Sequence, residues 1–325
     1  MAKNPAGSGR VFCSDEVASA LMIIAAIDIG TNTVLYSLFA VRGKTGLKEI
    51  HFERHTPRIG TRLAGGKRSR ISDESYLRLR RILKKNIAHA RKNDAQHILI
   101  AATNPFRRAS NGRAVQECLQ SEIRCPIEIV SPAREAYLSH LGAAGRLDSD
   151  LPALVIDLGG GSTEFIVYGS GRRRLFRSLP EGAVSLTERF ESGKKVDAAD
   201  FPAYERYLTR YDRKLKGIKP YAVAGVVLVG GTSSALASLK DRRFVNLPKG
   251  LSLTRDDIDR FTSLWAEASL AGRRRILKID RQRAEVIFAG TFWLRHLYKI
   301  LGLKKARATP RGLRHGLVLD FLKRG

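Results

Sequence analysis

Apolar residues follow two rhythms along this chain. Short unbroken runs rich in Val, Ile and Ala, bounded by Gly, Pro or polar residues, cover 23–29, 33–41, 97–102, 127–130, 153–158, 165–168 and 226–229. Runs of this length and composition predict buried β-strands. Between them the spacing lengthens. Leu79, Ile82, Leu83 and Ile87 share one face of segment 72–92, which opens with Ser72, Asp73 and Glu74, a helix-start composition. Further helices are predicted over 134–144, 185–190, 199–215, 254–267, 281–301 and 311–323. The class is mixed α/β, and 325 residues suggest two domains, divided here into 22–130 and 131–325.

A repeat carries more than the single elements. Ala26-Ile27-Asp28-Ile29-Gly30-Thr31-Asn32-Thr33 runs into an apolar strand, and Val155-Ile156-Asp157-Leu158-Gly159-Gly160-Gly161-Ser162-Thr163-Glu164 runs into another. Both read as strand, acidic residue, glycine-containing hydroxylated turn, strand. Such a turn lets backbone N–H groups and hydroxyls approach phosphate oxygens, and an Asp at the strand end can hold a divalent cation. Two units imply two similar domains facing one anion. A third turn, Val229-Gly230-Gly231-Thr232-Ser233, opens an alanine-rich segment whose helix N-terminus is a further anion site.

Charge narrows the partners. Lys and Arg number 58 against 31 Asp and Glu, a net +27, which attracts polyanions. The clusters Lys67-Arg68-Ser69-Arg70, Arg172-Arg173-Arg174 and Arg273-Arg274-Arg275 are scattered, and each alone reads as solvated surface. A composition 43% hydrophobic and 27% charged excludes a disordered chain. Cys13, Cys118 and Cys125 form no CxxC motif, which fits a reducing cytoplasm. No apolar run approaches the ~18 residues that span a bilayer, so no membrane partner is expected. The run 18–27 resembles a short signal peptide, but it flows into the Asp28 turn and reads as a first core strand. Met22 marks an alternative start, with residues 1–21 a leader outside the fold.

Other candidate chemistry falls away. Segment 60–67 nearly spells a P-loop, but an extra glycine displaces Lys67 and no Ser or Thr follows at once. The seven histidines are dispersed, and Trp265 and Trp293 lie at helical spacing suited to a core.

These motifs resemble the exopolyphosphatase and guanosine pentaphosphate phosphatase family, in its short two-domain form. The resemblance runs from Ile23 to the end. It includes Thr56-Pro57-Arg58-Ile59-Gly60, the segment from Ala102 to Asn111, Ile127 to Ala136, Asp157 to Glu164, Ser178 to Leu186, Gly230-Gly231-Thr232, and Gly312-Leu313-Arg314-His315-Gly316. It implies two RNase-H-like domains, as in actin, sugar kinases and heat-shock ATPases, with a cleft between them. It also implies Mg²⁺-dependent release of terminal phosphate from polyphosphate or guanosine pentaphosphate by a cytoplasmic enzyme. Nucleic acid is not required, and a homodimer is left open.

By the same resemblance, Glu135 matches the catalytic base, the second acidic position of a Ser-Gly-x-Glu-Glu-Ala pattern. Asp157 and Glu164 match magnesium-associated acids, and Asp28 joins them as a metal candidate on its strand-end position. Gly30, Thr31, Asn32 and Thr33 match one phosphate loop, Gly159, Gly160, Gly161, Ser162 and Thr163 the other, and Arg107 a phosphate-contacting arginine. Gly230, Gly231 and Thr232 add the third turn. The chemistry agrees: attacking water needs a carboxylate, and phosphoryl transfer is mostly positioning and electrostatics. Two carboxylates about 5 Å apart at an effective dielectric of ~20 repel by roughly 3 kcal/mol, which a cation relieves.

The pattern departs at Pro132-Ala133-Arg134, where the family has Gly and a first Glu. Arg134 would lower the basicity of Glu135 if turned toward it, or add a phosphate contact if turned into the cleft. Pro132 is compatible with the first position of a helix. The departure motivates a second reading, a low-turnover sensor of polyphosphate or guanosine tetraphosphate. A kinase or ATPase is a third reading, but the sequence offers no pocket for a hydroxyl substrate.

Overall fold

Two sheets built on one plan carry the β-structure. In this computed structural model the described residues are 22–43, 46–59, 70–144, 153–169, 172–191, 198–218, 225–244, 250–278 and 283–324. The leader 1–21 and the P-loop-like segment 60–67 lie outside them.

The first sheet contains β1 (Met22–Ile29), β2 (Val34–Arg42), β3 (Gly46–His55), β4 (His97–Ala102) and β5 (Glu128–Ile129), in the order β3-β2-β1-β4-β5. Strands β1 to β3 form an antiparallel meander, and β4 and β5 add in parallel beyond β1. The second sheet contains β6 (Ala153–Leu158), β7 (Thr163–Gly169), β8 (Arg172–Leu179), β9 (Gly225–Val229), β10 (Leu251–Thr254) and β11 (Lys305–Ala308). Its order, β10-β11-β9-β6-β7-β8, repeats the first with β6, β7, β8, β9 and β11 in the five roles and β10 added at the edge. This is the RNase-H-like sheet twice over, as the resemblance implied.

The parallel pairs require crossovers, which helices supply. Helix α1 (Asp73–Lys92) leads from β3 to β4, starting where Ser72 caps the Ser75 N–H and burying Leu79, Leu83 and Ile87. Helices α2 (Asn104–Arg108) and α3 (Gly112–Ile123) lead to β5. Helix α4 (Pro132–Ala144) then passes to the second sheet. Helices α5 (Ala183–Phe190), α6 (Phe201–Leu208) and α7 (Asp212–Lys216) precede β9, and α8 (Gly231–Lys240) follows it. Helices α9 (Arg255–Glu267), α10 (Leu270–Ile276) and α11 (Ile287–Leu301) lie between β10 and β11, and α12 (Leu313–Arg324) ends the chain. The segment read as one helix over 199–215 is broken by a 3₁₀ turn at 209–211. The helix read over 281–301 begins at Ile287.

The second sheet has the larger core, where Trp265, Trp293, Tyr204, Phe288 and Phe292 are buried together. Both tryptophans are therefore packing residues. Arg273 is also buried, donating to Glu191 at 3.2 Å and to the Trp265 carbonyl at 3.0 Å, so this member of its basic cluster is structural. Arg274, beside it, pairs with Glu285. Residues 67–69, and the side chains of Arg172, Arg173 and Arg174, lie outside the described set.

Two helices join the sheets. The apolar face of α4 packs on the second sheet through Ala136, while Val318 of α12 packs on Ile24, Ala26 and Phe39 of the first. The helices touch backbone to backbone. A Cβ on Gly142 would stand 2.0 Å from the Gly312 carbonyl oxygen, and one on Gly316 would stand 1.9 Å from that of Leu138. The Gly312 to Gly316 motif thus marks a helix crossing. Cys118 and Cys125 are free thiols. Among the described residues no helix is long and apolar enough to cross a membrane.

Candidate active site

The repeated sequence motifs form matching hairpins. In the first, Ile29 pairs with Val34 and the Gly30 N–H donates to the Thr33 carbonyl at 2.9 Å. In the second, Leu158 pairs with Thr163 and the Gly159 N–H donates to the Ser162 carbonyl at 3.0 Å. The two turns touch. A Cβ on Gly161 would stand 2.7 Å from Asn104 Nδ2 and 3.3 Å from Thr31 Oγ1, and one on Gly160 would stand 3.4 Å from Thr31 Cβ. Glycine at both places lets one turn approach the other.

The third turn closes on the same place. Gly230 has φ of +104°, a left-handed value that a side chain disfavours, and a Cβ there would stand 2.2 Å from the Leu158 carbonyl oxygen. Helix α8 starts from it, and the Arg283 guanidinium lies against the Gly231 backbone. The Thr232 hydroxyl is buried and has no hydrogen-bond partner among the described residues.

Helix α4 brings in the carboxylate. Pro132 occupies its first position, where the missing N–H is not needed, and the Arg134 N–H is capped by Ser131 Oγ at 3.2 Å. Glu135 and Ser139, one turn apart, face the end of β6. Ser139 Oγ donates to Asp157 Oδ2 at 2.6 Å. Asp157 is paired across the sheet with Glu164, which accepts from Ser178 Oγ at 2.8 Å. Arg107 Nη1 donates to Glu135 Oε2 at 2.7 Å and to the Val130 carbonyl at 2.7 Å. Arg134 turns away from the cleft: its Nη2 meets Asp320 Oδ2 of α12 at 2.5 Å and its Nε meets Glu128 at 3.4 Å. Neither of the two roles left open for it in the sequence is the one it takes.

A cleft of 960 Å³ runs between these elements. Its lining includes Asp28, Gly30, Thr31, Asn32, Thr33, Glu135, Asp157, Gly159, Gly160, Gly161, Ser162, Glu164, Gly230, Gly231 and Thr232. Two candidates stand apart. Arg107 does not line the cleft but sits behind Glu135. Thr163 is wholly buried, donating to the Glu181 carbonyl at 2.6 Å and accepting from Trp293 Nε1 at 2.9 Å, so its hydroxyl serves the core. The structure adds residues that pattern reading passed over. Arg314 is buried beside Asp28 and donates to Glu49 Oε1 at 2.6 Å, and Lys48, Arg242 and Lys278 line the cleft walls. The alternation of polar and apolar residues in β3, which supplies Lys48 and Glu49, was the available signal.

Burial dominates the electrostatics. Asp28 is pushed up to about 7, first by burial, then by Glu135, with Arg314 opposing. Glu164 is raised by burial, then by Glu135 and Asp157. Burial raises Asp157 against the Ser139 hydrogen bond, and raises Glu135 against the attraction of Arg107. Four acids share too little compensating positive charge, a cluster that a cation would relieve.

No three His, Cys, Asp or Glu side chains among the described residues converge closely enough to cage a metal by themselves. Mg²⁺ does not need such a cage, because it takes one or two carboxylates and completes its shell with water and phosphate oxygens. Asp28, Asp157 and Glu164 fit that requirement: they are oxygen donors on the cleft wall, Glu164 buried and the two aspartates half-buried, and all are short of positive charge.

Comparison with known proteins agrees with this fold. A solved family member from Aquifex aeolicus is 25% identical, with a TM-score of 0.77 over 94% of this chain and 99% of its own. An exopolyphosphatase from Cytophaga hutchinsonii, at 21% identity, shares the fold with a TM-score of 0.83 over 93% of this chain and 98% of its own. The model of the Ppx/GppA phosphatase family matches residues 39–325, and the chain belongs to that family.

Proposed function

We propose that the protein hydrolyses phosphoanhydride bonds, releasing terminal phosphate from inorganic polyphosphate, from guanosine pentaphosphate, or from both. One juxtaposition carries the reading: Glu135, oriented by Arg107, lines the same cleft as the touching turns at Thr31 and Gly160-Gly161. The terminal phosphate sits on the turn N–H groups, with water between phosphorus and the Glu135 carboxylate. Glu135 takes the water's proton as the new P–O bond forms, and the bridging oxygen leaves with the shortened chain. One or two of Asp28, Asp157 and Glu164 would hold Mg²⁺, which when bound would neutralise substrate oxygens.

The 960 Å³ volume of the cleft and its basic wall residues Lys48, Arg242 and Lys278 favour a long polyanion. Arg134 is engaged with Asp320 and Glu128, which leaves the Glu135 face of α4 intact and favours turnover over sensing. The test is phosphate release from short and long polyphosphate and from guanosine pentaphosphate, with Mg²⁺ or EDTA, beside Glu135→Gln. Metal-dependent release, lowered about 10²- to 10⁴-fold by the substitution, is expected. Release untouched by Glu135→Gln would overturn the mechanism, and no release from any of the substrates would overturn the function.

A further inference from the structure

Arg107 has a second side. A separate cavity of 630 Å³ lies against it, lined by Arg107, Arg113, Ser110 and Gln116 over an apolar floor of Phe106 and Ile129. Among the described residues no acidic side chain lines this cavity. The two arginines are brought together by a close approach. A Cβ on Gly112 would stand 2.0 Å from the Phe106 carbonyl oxygen, so glycine there lets α3 start directly against α2. Arg113, the second residue of α3, then opens onto the same space as Arg107.

The hydrogen bonds of Arg107 run from one nitrogen. Nη1 serves both the Val130 carbonyl and Glu135, and among the described residues Nε and Nη2 make no hydrogen bond. Arg113 is exposed and makes no ion pair among the described residues. Guanidinium groups are planar forks matched to phosphate oxygens, and Arg107 keeps Nε and Nη2 for an anion while its Nη1 holds Glu135.

We propose that this cavity is a second anion site, which binds inorganic phosphate between Arg107 and Arg113. Its choice of phosphate rests on the hydrolase reading above, since orthophosphate is the product of that reaction. The site shares Arg107 with Glu135, so an occupying phosphate draws the guanidinium toward itself and loosens its hold on the base. Product phosphate then slows turnover without competing for the cleft.

Calorimetric titration of inorganic phosphate into the wild type, Arg113→Gln and the cleft variant Gly161→Val tests the site without reference to turnover. Two phosphates per chain are expected in the wild type. Arg113→Gln loses one and keeps the other at unchanged affinity, while Gly161→Val loses the complementary one. Arg108→Gln, an exposed neighbour outside the cavity, serves as the charge control and keeps both. In steady-state assays, phosphate inhibition of the wild type is mixed, a competitive part from the cleft and a non-competitive part from this site, and the non-competitive constant rises at least tenfold in Arg113→Gln, each variant being compared with its own uninhibited rate. A single site, a second site indifferent to Arg113→Gln, or purely competitive inhibition would overturn the proposal. Two sites in a protein that hydrolyses none of the substrates would keep the site and reject the hydrolase reading.

Discussion

Arg107 Nη1 lies 2.7 Å from Glu135 Oε2 and 2.7 Å from the Val130 carbonyl oxygen, so one nitrogen ties Glu135, the proposed base on α4, to the end of the first sheet. The pair is largely buried, and the guanidinium opposes the upward push that burial gives the Glu135 carboxyl. Replacing Arg107 with Gln removes that opposition, and the Glu135 pKa rises. A base works only when deprotonated, so the acid limb of the kcat–pH profile moves to higher pH. Rates measured from pH 5 to 9 should show this shift together with a lower plateau. An Arg107→Gln limb that stays where the wild-type limb lies would mean that Arg107 acts elsewhere.

The helix crossing at Gly142 and Gly316 sets where Glu135 stands. Gly316→Ala places a methyl 1.9 Å from the Leu138 carbonyl oxygen, on the α4 turn that follows Glu135. The helices must separate, at a cost of about 1 to 3 kcal/mol. Denaturant unfolding should show this loss, and activity per folded molecule should fall with it. Gly43→Ala, whose Cβ would meet nothing within 4 Å, separates the effects of contact and of backbone. Its φ of +58° strains the new side chain by about 1 to 2 kcal/mol, so stability falls, but no contact is disturbed and its activity per folded molecule should be retained.

Asp28 gives the fold a pH dependence of stated sign. Its carboxyl ionises near 4 in an unfolded chain and at about 7 in the fold. The folded state therefore holds the proton more tightly, and stability from this group is full below pH 4 and is lost as pH rises through 7. Asp28→Asn removes the loss. The variant should match the wild type near pH 4 and exceed it at pH 8 by on the order of 2 to 4 kcal/mol in EDTA. Added Mg²⁺ should close that gap at pH 8 by stabilising the wild type. Parallel stability curves for the two proteins would refute the raised pKa of Asp28.

The sequence made the centre of each sheet legible and left its edges dark. Strands β1, β4, β6 and β9 are apolar runs, and both phosphate turns stood out because they recur at the end of such runs. Strands β3 and β8 were missed because they are edge or near-solvent strands filled with charge, as in Gly46–His55 with its alternating exposed positions. β11 is four residues long and two of them are basic. At the site, Arg314 was quoted only within a motif, because its meeting with Asp28 joins opposite ends of the chain. Thr163 sat in the right motif, but strand alternation turns it into the core, where Trp293 claims its oxygen.

The buried pair Arg273–Glu191 makes a different claim, about the frame that carries the cleft. Both side chains are about 5% exposed, with Tyr204 donating to the carboxylate at 3.1 Å. Removing one partner leaves an unpaired buried charge, so Arg273→Ala should cost about 3 to 5 kcal/mol, more than its exposed neighbour Arg275→Ala at about 0.5 or less. Arg273→Met with Glu191→Gln, which removes both charges at similar volume, should recover most of the loss in urea unfolding.

Arg134 tests whether its departure from the family pattern concerns catalysis or packing. Its guanidinium reaches Asp320 of α12, which also pairs with Arg324 at 2.9 Å. Restoring the family's glutamate, Arg134→Glu, sets a carboxylate against Asp320 and Glu128 and should destabilise the fold by about 2 kcal/mol. Asp320→Asn added to it removes the nearest repulsion and should return about half of that. Glu135 keeps its contact with Arg107 throughout, so kcat per folded molecule should stay within about twofold of the wild type. Thermal melts and single-turnover rates on the wild type and the two variants separate the readings. A rise in kcat of tenfold or more in Arg134→Glu would mean that Arg134 restrains the base.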